Sequence, residues 1–237
     1  MQTRKTYRRR IGRVLGCVAL LLGLLLAAPA VAGEPERFDE AVAELFAAGF
    51  LGDEEALERG LALVEEKLAA DPDHPGALVW QATLWSVQSG TAFAQGDRET
   101  GQALFDRSLA QFDRAVSLAP ESLQTRVPRA SVLLSVARYT PDASARERYL
   151  ETSLEDYTKI LELRTPAFDS LTVDSRGDLL GGLAEVLWRL ERHDDATVYL
   201  RRMIAELPKS RYAVMAQGQL DDPDTPAELT CFGCEDW

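Results

Sequence analysis

Helix-like stretches that end at a proline recur along the chain. In the last of them the small residue Ala196 is followed by Leu200 and Met203 at plus four and plus seven, and by Pro208 at plus twelve. Spacings of four and seven place all three upstream side chains on one face of a helix. Proline lacks an amide hydrogen and restricts the residue before it, so the helix ends there. The pattern predicts a helix with one apolar face that stops near Pro208.

Three earlier stretches follow the same plan. They read Gly60, Val64, Lys67 and Pro72 in the first, Ser108, Phe112, Ala115 and Pro120 in the second, and Ser153, Tyr157, Ile160 and Pro166, with one extra residue, in the third. A further small residue lies upstream of three of these helices, at Ala82, Ala130 and Ala184.

On these residues the chain resembles the tetratricopeptide repeat family, whose unit is a pair of antiparallel helices with small residues at their crossing and a proline after the second. The resemblance implies an all-α fold, a right-handed α-solenoid of about four antiparallel helix hairpins. The family has a period of about 34 residues. The prolines here, at positions 72, 120, 166 and 208, lie farther apart than one such period and are unevenly spaced. The repeats are therefore expected to be irregular.

The extra length is predicted at the turns of the second and third hairpins and before the first helix of the fourth unit. Residues 77–95 and 98–118 stay compatible with helix on either side of Gly96 and Asp97, which predicts a long second hairpin. The stretch from Thr165 to Asp174 is predicted to be a loop, with Asp174 or Ser175 capping the helix that follows.

Residues 1–32 have the order of a secretory signal peptide: basic residues, then an apolar run from Val14 to Ala28, then small residues. Cleavage between Ala32 and Gly33 would leave a helical repeat domain over 33–220 and an irregular tail over 221–237. We expect an exported protein of the periplasm. The alternative is an uncleaved segment that anchors the chain in the inner membrane, because the stretch from Val14 to Ala32 is just long enough to span a bilayer.

Removal of residues 1–32 leaves 20 basic against 38 acidic residues, a formal charge of −18. Such a surface repels nucleic-acid phosphates and anionic lipid headgroups. We therefore expect no nucleic-acid partner, and no membrane partner once the signal is cleaved. Arg126 and Arg129, which share one helical face, are expected to pair with acidic neighbours inside the chain.

Two cysteines, Cys231 and Cys234, lie near the C-terminus. In an oxidising compartment the pair favours a structural disulfide, with free or intermolecular thiols, or metal or redox work, as alternatives. Zinc would need two more ligands, and haem attachment would need a histidine in place of Glu235. We expect no metal and no cofactor.

The sequence contains no nucleophile elbow, no phosphate-binding glycine loop and no metal-binding helix motif, so we expect a non-enzymatic protein. The resemblance implies an adaptor that binds another envelope protein or peptide in a groove lined by the first helix of each unit. Carried over by position, the exposed groove residues are Val79, Thr83, Ser86, Val127, Ser131, Leu134, Glu185, Trp188 and Arg189.

Two other functions stay open. Some periplasmic proteins with long helical hairpins hold a small ligand for a solute transporter, and here a tunnel would be lined by Trp80, Trp85 and Phe93. The other alternative is an envelope thiol-redox protein that acts through Cys231 and Cys234.

Overall fold

The computed structural model describes residues 34–224 and 226–230, and within these the fold is all-α with no strand. The predicted fold class is therefore confirmed at this level. The helices are α1 (Glu34–Phe50), α2 (Glu54–Ala70), α3 (Pro75–Ala94), α4 (Arg98–Leu118), α5 (Leu123–Tyr139), α6 (Ala143–Arg164), a 3₁₀ segment (Thr165–Ser170), α7 (Val173–Arg189), α8 (His193–Glu206) and α9 (Arg211–Asp221).

Neighbouring helices pair along the chain. The closest pairs are α1 with α2, α3 with α4, α5 with α6, and α7 with α8. Each pair is joined by a short connection, which is the geometry of an antiparallel helix hairpin. Successive odd-numbered helices also contact one another, from α1 through to α9, and each even-numbered helix contacts the odd-numbered helix after it.

The small residues of the repeat pattern lie where paired helices cross. The Ser108 hydroxyl in α4 donates to the Ala82 carbonyl of α3 at 2.8 Å, and the Ser153 hydroxyl in α6 donates to the Ala130 carbonyl of α5 at 2.9 Å. All four residues are fully buried. Larger side chains would hold the two backbones too far apart for these bonds.

The long second hairpin is confirmed, since α3 and α4 run for 20 and 21 residues. Gly96 in the turn has a φ of 84°, a left-handed conformation that glycine adopts without a steric penalty. Asp97 then caps α4, because its carboxylate accepts a hydrogen bond from the amide of Thr100 at 3.1 Å.

The prediction of a loop from Thr165 to Asp174 is wrong for most of that stretch. A 3₁₀ turn occupies Thr165–Ser170, since Pro166 is tolerated in the first turn of a helical segment, where its missing amide hydrogen has no partner to lose. Helix α7 begins at Val173, and its cap is Thr172, whose hydroxyl accepts from the amide of Ser175 at 3.0 Å. Neither Asp174 nor Ser175 is the cap.

The largest apolar cluster joins α5 to α9, and α7 runs through its centre. Twelve consecutive residues of α7, from Gly177 to Trp188, are buried. Because α7 is buried on every side, α8 alone cannot cover it, and other elements must pack against it as well. The segment after α9 provides part of that cover, since Leu229 is fully buried and belongs to the same cluster.

Candidate functional site

The expectation that nine groove residues are exposed is wrong for seven of them. Val79, Thr83, Val127, Ser131, Leu134, Glu185 and Trp188 are buried, and only Ser86 and Arg189 are partly exposed. The reason is that each odd-numbered helix is packed against its own partner and against helices of the adjacent hairpins. Such packing leaves less of the surface of the odd-numbered helices exposed to solvent than the resemblance implied.

Several of these side chains make contacts within the fold. The Ser86 and Ser108 hydroxyls lie 2.6 Å apart within the second hairpin. Trp188 stacks on His193 with ring centroids 4.6 Å apart. Both contacts lie within single hairpins, since the first joins α3 to α4 and the second joins α7 to the start of α8.

Glu185 and Arg189 instead belong to a buried charged site between α5 and α7. Arg138, in the last turn of α5, donates from Nε to Glu185 Oε1 at 2.7 Å and from Nη2 to Oε2 at 2.8 Å. Arg189, one turn after Glu185, donates from its Nε to Oε1 at 2.8 Å. The Glu185 side chain is 1% exposed and that of Arg138 is 8% exposed. A paired, two-point geometry of this kind fixes both side chains strongly.

The pKa of Arg138 reflects this pairing. Burial alone lowers the pKa of its guanidinium, but the hydrogen bond and the charge of Glu185 outweigh that effect and raise the pKa above its ordinary value. Arg138 therefore stays a permanent cation at this site.

The segment after α9 lies across this site. The amide of Leu229 donates to Glu185 Oε2 at 2.7 Å, and Arg138 Nη2 donates to both the carbonyl and the hydroxyl of Thr230 at 3.1 Å. Glu228 accepts from the hydroxyl of Tyr139 at 3.1 Å and lies 3.5 Å from Arg138 Nη1. The site thus contacts both the backbone and the side chains of residues 228–230.

Gly181 of α7 admits this backbone. A Cβ atom at Gly181 would lie 2.6 Å from the carbonyl oxygen of Leu229, a distance that real Cβ atoms essentially never show. One turn further along α7 lies Glu185, so the open position and the carboxylate face the same segment. We refer to Arg138, Gly181 and Glu185 as the α5–α7 site.

A second buried charge cluster confirms that Arg126 and Arg129 pair inside the chain. Asp156 of α6 is fully buried and accepts hydrogen bonds from both arginines, and Arg129 also donates to the exposed Asp113 at 2.8 Å. These contacts join α4, α5 and α6. Arg129 and Asp156 are buried between these helices, and Arg126 also lines the larger of the two clefts described next.

Two open clefts lie on the α6 side of the fold. One of about 480 Å³ lies between the start of α5 and α6 and has six charged side chains in its lining. The other, of about 280 Å³, lies between α6 and α8. Leu154 and Thr158 line both.

Trp80, Trp85 and Phe93, the residues of the hypothetical ligand tunnel, line neither cleft. The indole of Trp80 donates to Asp39 at 2.9 Å, and Trp85 lies under the guanidinium of Arg107. Phe93 is 43% exposed. The small-ligand function stays a hypothesis.

Some predicted sites lie outside the described residues, namely Cys231 and Cys234 and the cleavage site at Ala32 and Gly33. Within the described ranges, no set of three or more histidine, cysteine or acidic side chains is arranged to hold a metal ion. No helix in that part of the chain has the length and hydrophobicity needed to cross a membrane.

Comparisons of the chain with family models, with curated proteins and with solved structures found no match in any of the three.

The groove predicted from the sequence contains Glu185 and Arg189 but lacks Arg138, Gly181 and the segment that covers them. One signal was present, because Gly181 and Gly182 interrupt the apolar stretch from Leu179 to Ala184, and glycine inside a helix often marks a close approach of another group. The segment at 227–230 carries no comparable signal.

Proposed function

We propose that this protein is a non-enzymatic, exported adaptor of the periplasm, built as a tetratricopeptide-like α-solenoid, that binds an extended segment of another envelope protein. The observation that carries the proposal is the position of residues 228–230, which lie against α5 and α7 with backbone and side-chain groups bonded to both helices. A surface that holds one extended segment in this way has the chemistry to hold another.

The helix contacts support the solenoid arrangement. In a solenoid the first helices of successive units touch one another and form a shared surface, and here α1, α3, α5 and α7 follow one another in this way. Asp39 of α1 accepts from Trp80 of α3 at 2.9 Å and from Gln124 of α5 at 3.1 Å. Three odd-numbered helices therefore present polar groups on a common surface.

Electrostatics supports a protein partner. The expected mature charge of −18 disfavours nucleic acid and anionic lipid, whereas a polypeptide can present basic or neutral groups to this surface. Cleavage after Ala32 is part of the proposal, and N-terminal sequencing of the protein from a periplasmic fraction should give Gly33 as the first residue.

Photo-crosslinking from defined positions tests the proposal. A crosslinking amino acid at Gln124, exposed on the odd-numbered helices, should capture another polypeptide in intact cells. The same amino acid at Ala110, exposed on α4, is the matched control and should capture none. Equal capture from both positions, or no capture from Gln124, would reject the proposed surface.

A further inference from the structure

We infer that the α5–α7 site recognises an extended peptide in which an acidic residue, a leucine and a threonine or serine follow one another, and that the chain's own Glu228–Thr230 segment occupies it in competition with such a partner. This inference rests on the proposed function and names the chemistry of the partner. The sequence at 228–230 is Glu-Leu-Thr.

Backbone contacts fix the register of the peptide. The Leu229 amide binds the Glu185 carboxylate at 2.7 Å, and the next carbonyl, that of Thr230, accepts from Arg138 at 3.1 Å. Any extended peptide can supply these two groups. The peptide amide binds the Glu185 carboxylate and the peptide carbonyl binds the Arg138 guanidinium. These two side chains already form an ion pair with each other.

Side chains supply the preference for particular residues. Leu229 is fully buried in the main apolar cluster, so its side chain makes the hydrophobic contact of the peptide with the site. The Thr230 hydroxyl accepts from Arg138 Nη2. Glu228 is 55% exposed beside Arg138 and contacts Tyr139, a weaker and salt-sensitive contribution.

The composition of the site fits recognition better than permanent capping. A buried ion pair is often no more stabilising than well-packed apolar residues of the same volume, so a fixed cover over α7 has no need of one. Glycine at position 181 also makes α7 less stable than alanine would. What glycine provides there is space for the backbone of a peptide. Both features favour a site that selects its occupant.

Competition requires the segment to leave the site. Residues 222–224, between α9 and the site, are exposed and include Pro223. Release of 227–230 would break the contact of the Ala227 amide with Gln219 and the contacts to α5 and α7, while the helices themselves stay bonded within their own turns. A tethered segment of this length acts at an effective concentration on the order of millimolar. An outside peptide must compete with it.

The test is the binding of a fluorescent peptide with the sequence of residues 222–230 to the full-length mature protein. Wild type is compared with Leu229→Asp, which weakens docking of the internal segment, and with Leu229→Asp combined with Gly181→Ala, which blocks the site. We expect Leu229→Asp to bind the peptide at least tenfold more tightly than wild type, and Gly181→Ala to remove that gain. A peptide with aspartate in place of its leucine is the control and should not bind.

Equal dissociation constants for wild type and Leu229→Asp, or binding that Gly181→Ala leaves unchanged, would overturn the inference. Hydrogen exchange at the Leu229 amide of the wild-type chain provides a second measurement if Leu229→Asp fails to fold. Saturating peptide should raise that exchange rate at least tenfold, because the outside peptide displaces the segment. An unchanged rate with excess peptide would equally overturn it.

The outcomes also separate this inference from the proposed function. Specific crosslinking from Gln124 without peptide competition keeps the adaptor and rejects the α5–α7 site as its peptide site. Peptide competition without crosslinking from Gln124 keeps the α5–α7 site as a peptide site and rejects the proposed adaptor surface. A dimer that Leu229→Asp abolishes would mean that two copies exchange tails, and it would overturn competition by a different polypeptide.

Discussion

The hydroxyl of Ser108 donates a hydrogen bond of 2.8 Å to the backbone carbonyl of Ala82, and this contact fixes how closely α3 and α4 approach. Ser153 and Ala130 repeat the arrangement between α5 and α6 at 2.9 Å. The two contacts occupy equivalent positions of the sequence repeat. The repeat is therefore a property of the packing, and the small residues are required by the separation of the helix axes.

Replacement of Ser108 by leucine should destabilise the protein by about 3 kcal/mol, because the fully buried crossing point has no room for the larger side chain. Ser108→Ala should cost only about 1 kcal/mol, for the lost hydrogen bond. Urea unfolding of the purified mature protein measures both values. Ser117→Leu, at an exposed position of the same helix, is the control and should change the free energy of unfolding by no more than about 0.5 kcal/mol. A similar cost for Ser117→Leu and Ser108→Leu would contradict the packing argument.

Gly182 is the position in α7 where close packing likewise requires a small residue. A Cβ atom there would overlap Cζ of the buried Tyr157 ring. Gly182→Ala should therefore destabilise the fold by about 2 kcal/mol, although alanine favours helix. Gly90→Ala is the matched control, because Gly90 lies in α3 with nothing within 4 Å of the added atom, and it should stabilise by up to about 1 kcal/mol. Thermal and urea unfolding should show opposite signs for the two substitutions, and the same sign for both would refute this assignment.

The repeat pattern predicted the helix pairs because small residues and prolines act over short distances along the chain. It placed Ala82, Ser108, Ala130 and Ser153 at helix crossings correctly. The prediction that the groove residues are exposed was wrong for most of them, because periodicity assigns a residue to a face of a helix without showing which neighbour covers that face. The Arg138–Glu185 pair and the Glu185–Leu229 contact join residues 47 and 44 positions apart. No local pattern of one sequence encodes such contacts: Gly181 marks a close approach, but only the folded chain shows that Leu229 makes it.

Asp156 should be the most sensitive carboxylate of the α4–α6 region. It is fully buried between Arg126 and Arg129, so Asp156→Ala leaves two guanidiniums without their shared acceptor and should cost about 3 to 5 kcal/mol. Asp113→Ala removes an exposed partner of the same Arg129 and should cost under about 1 kcal/mol. Urea unfolding of the two variants compares them directly. Nearly equal losses would mean that solvent reaches the buried cluster.

Tyr212 should make the stability of the protein depend on pH in the alkaline range. Burial of its side chain between α7 and α9 raises the pKa of the phenol, and its hydrogen bond of 2.9 Å to the Asp178 carboxylate adds to the shift. In the unfolded chain a tyrosine loses its proton near pH 10. Above that pH the unfolded state releases a proton that the folded state still holds, so the free energy of unfolding falls as the pH rises.

Tyr212→Phe removes this effect. Between pH 8 and 9 both states keep the phenolic proton, so wild type should exceed the variant in stability by a constant amount of about 2 kcal/mol, the contribution of a buried hydrogen bond to a carboxylate. From pH 10 to 11 the difference should shrink, because only wild type loses stability through this group. Urea unfolding of both proteins at pH 8, 9, 10 and 11 measures the difference. A difference that stays constant up to pH 11 would show that the Tyr212 phenol ionises alike in the folded and unfolded chains.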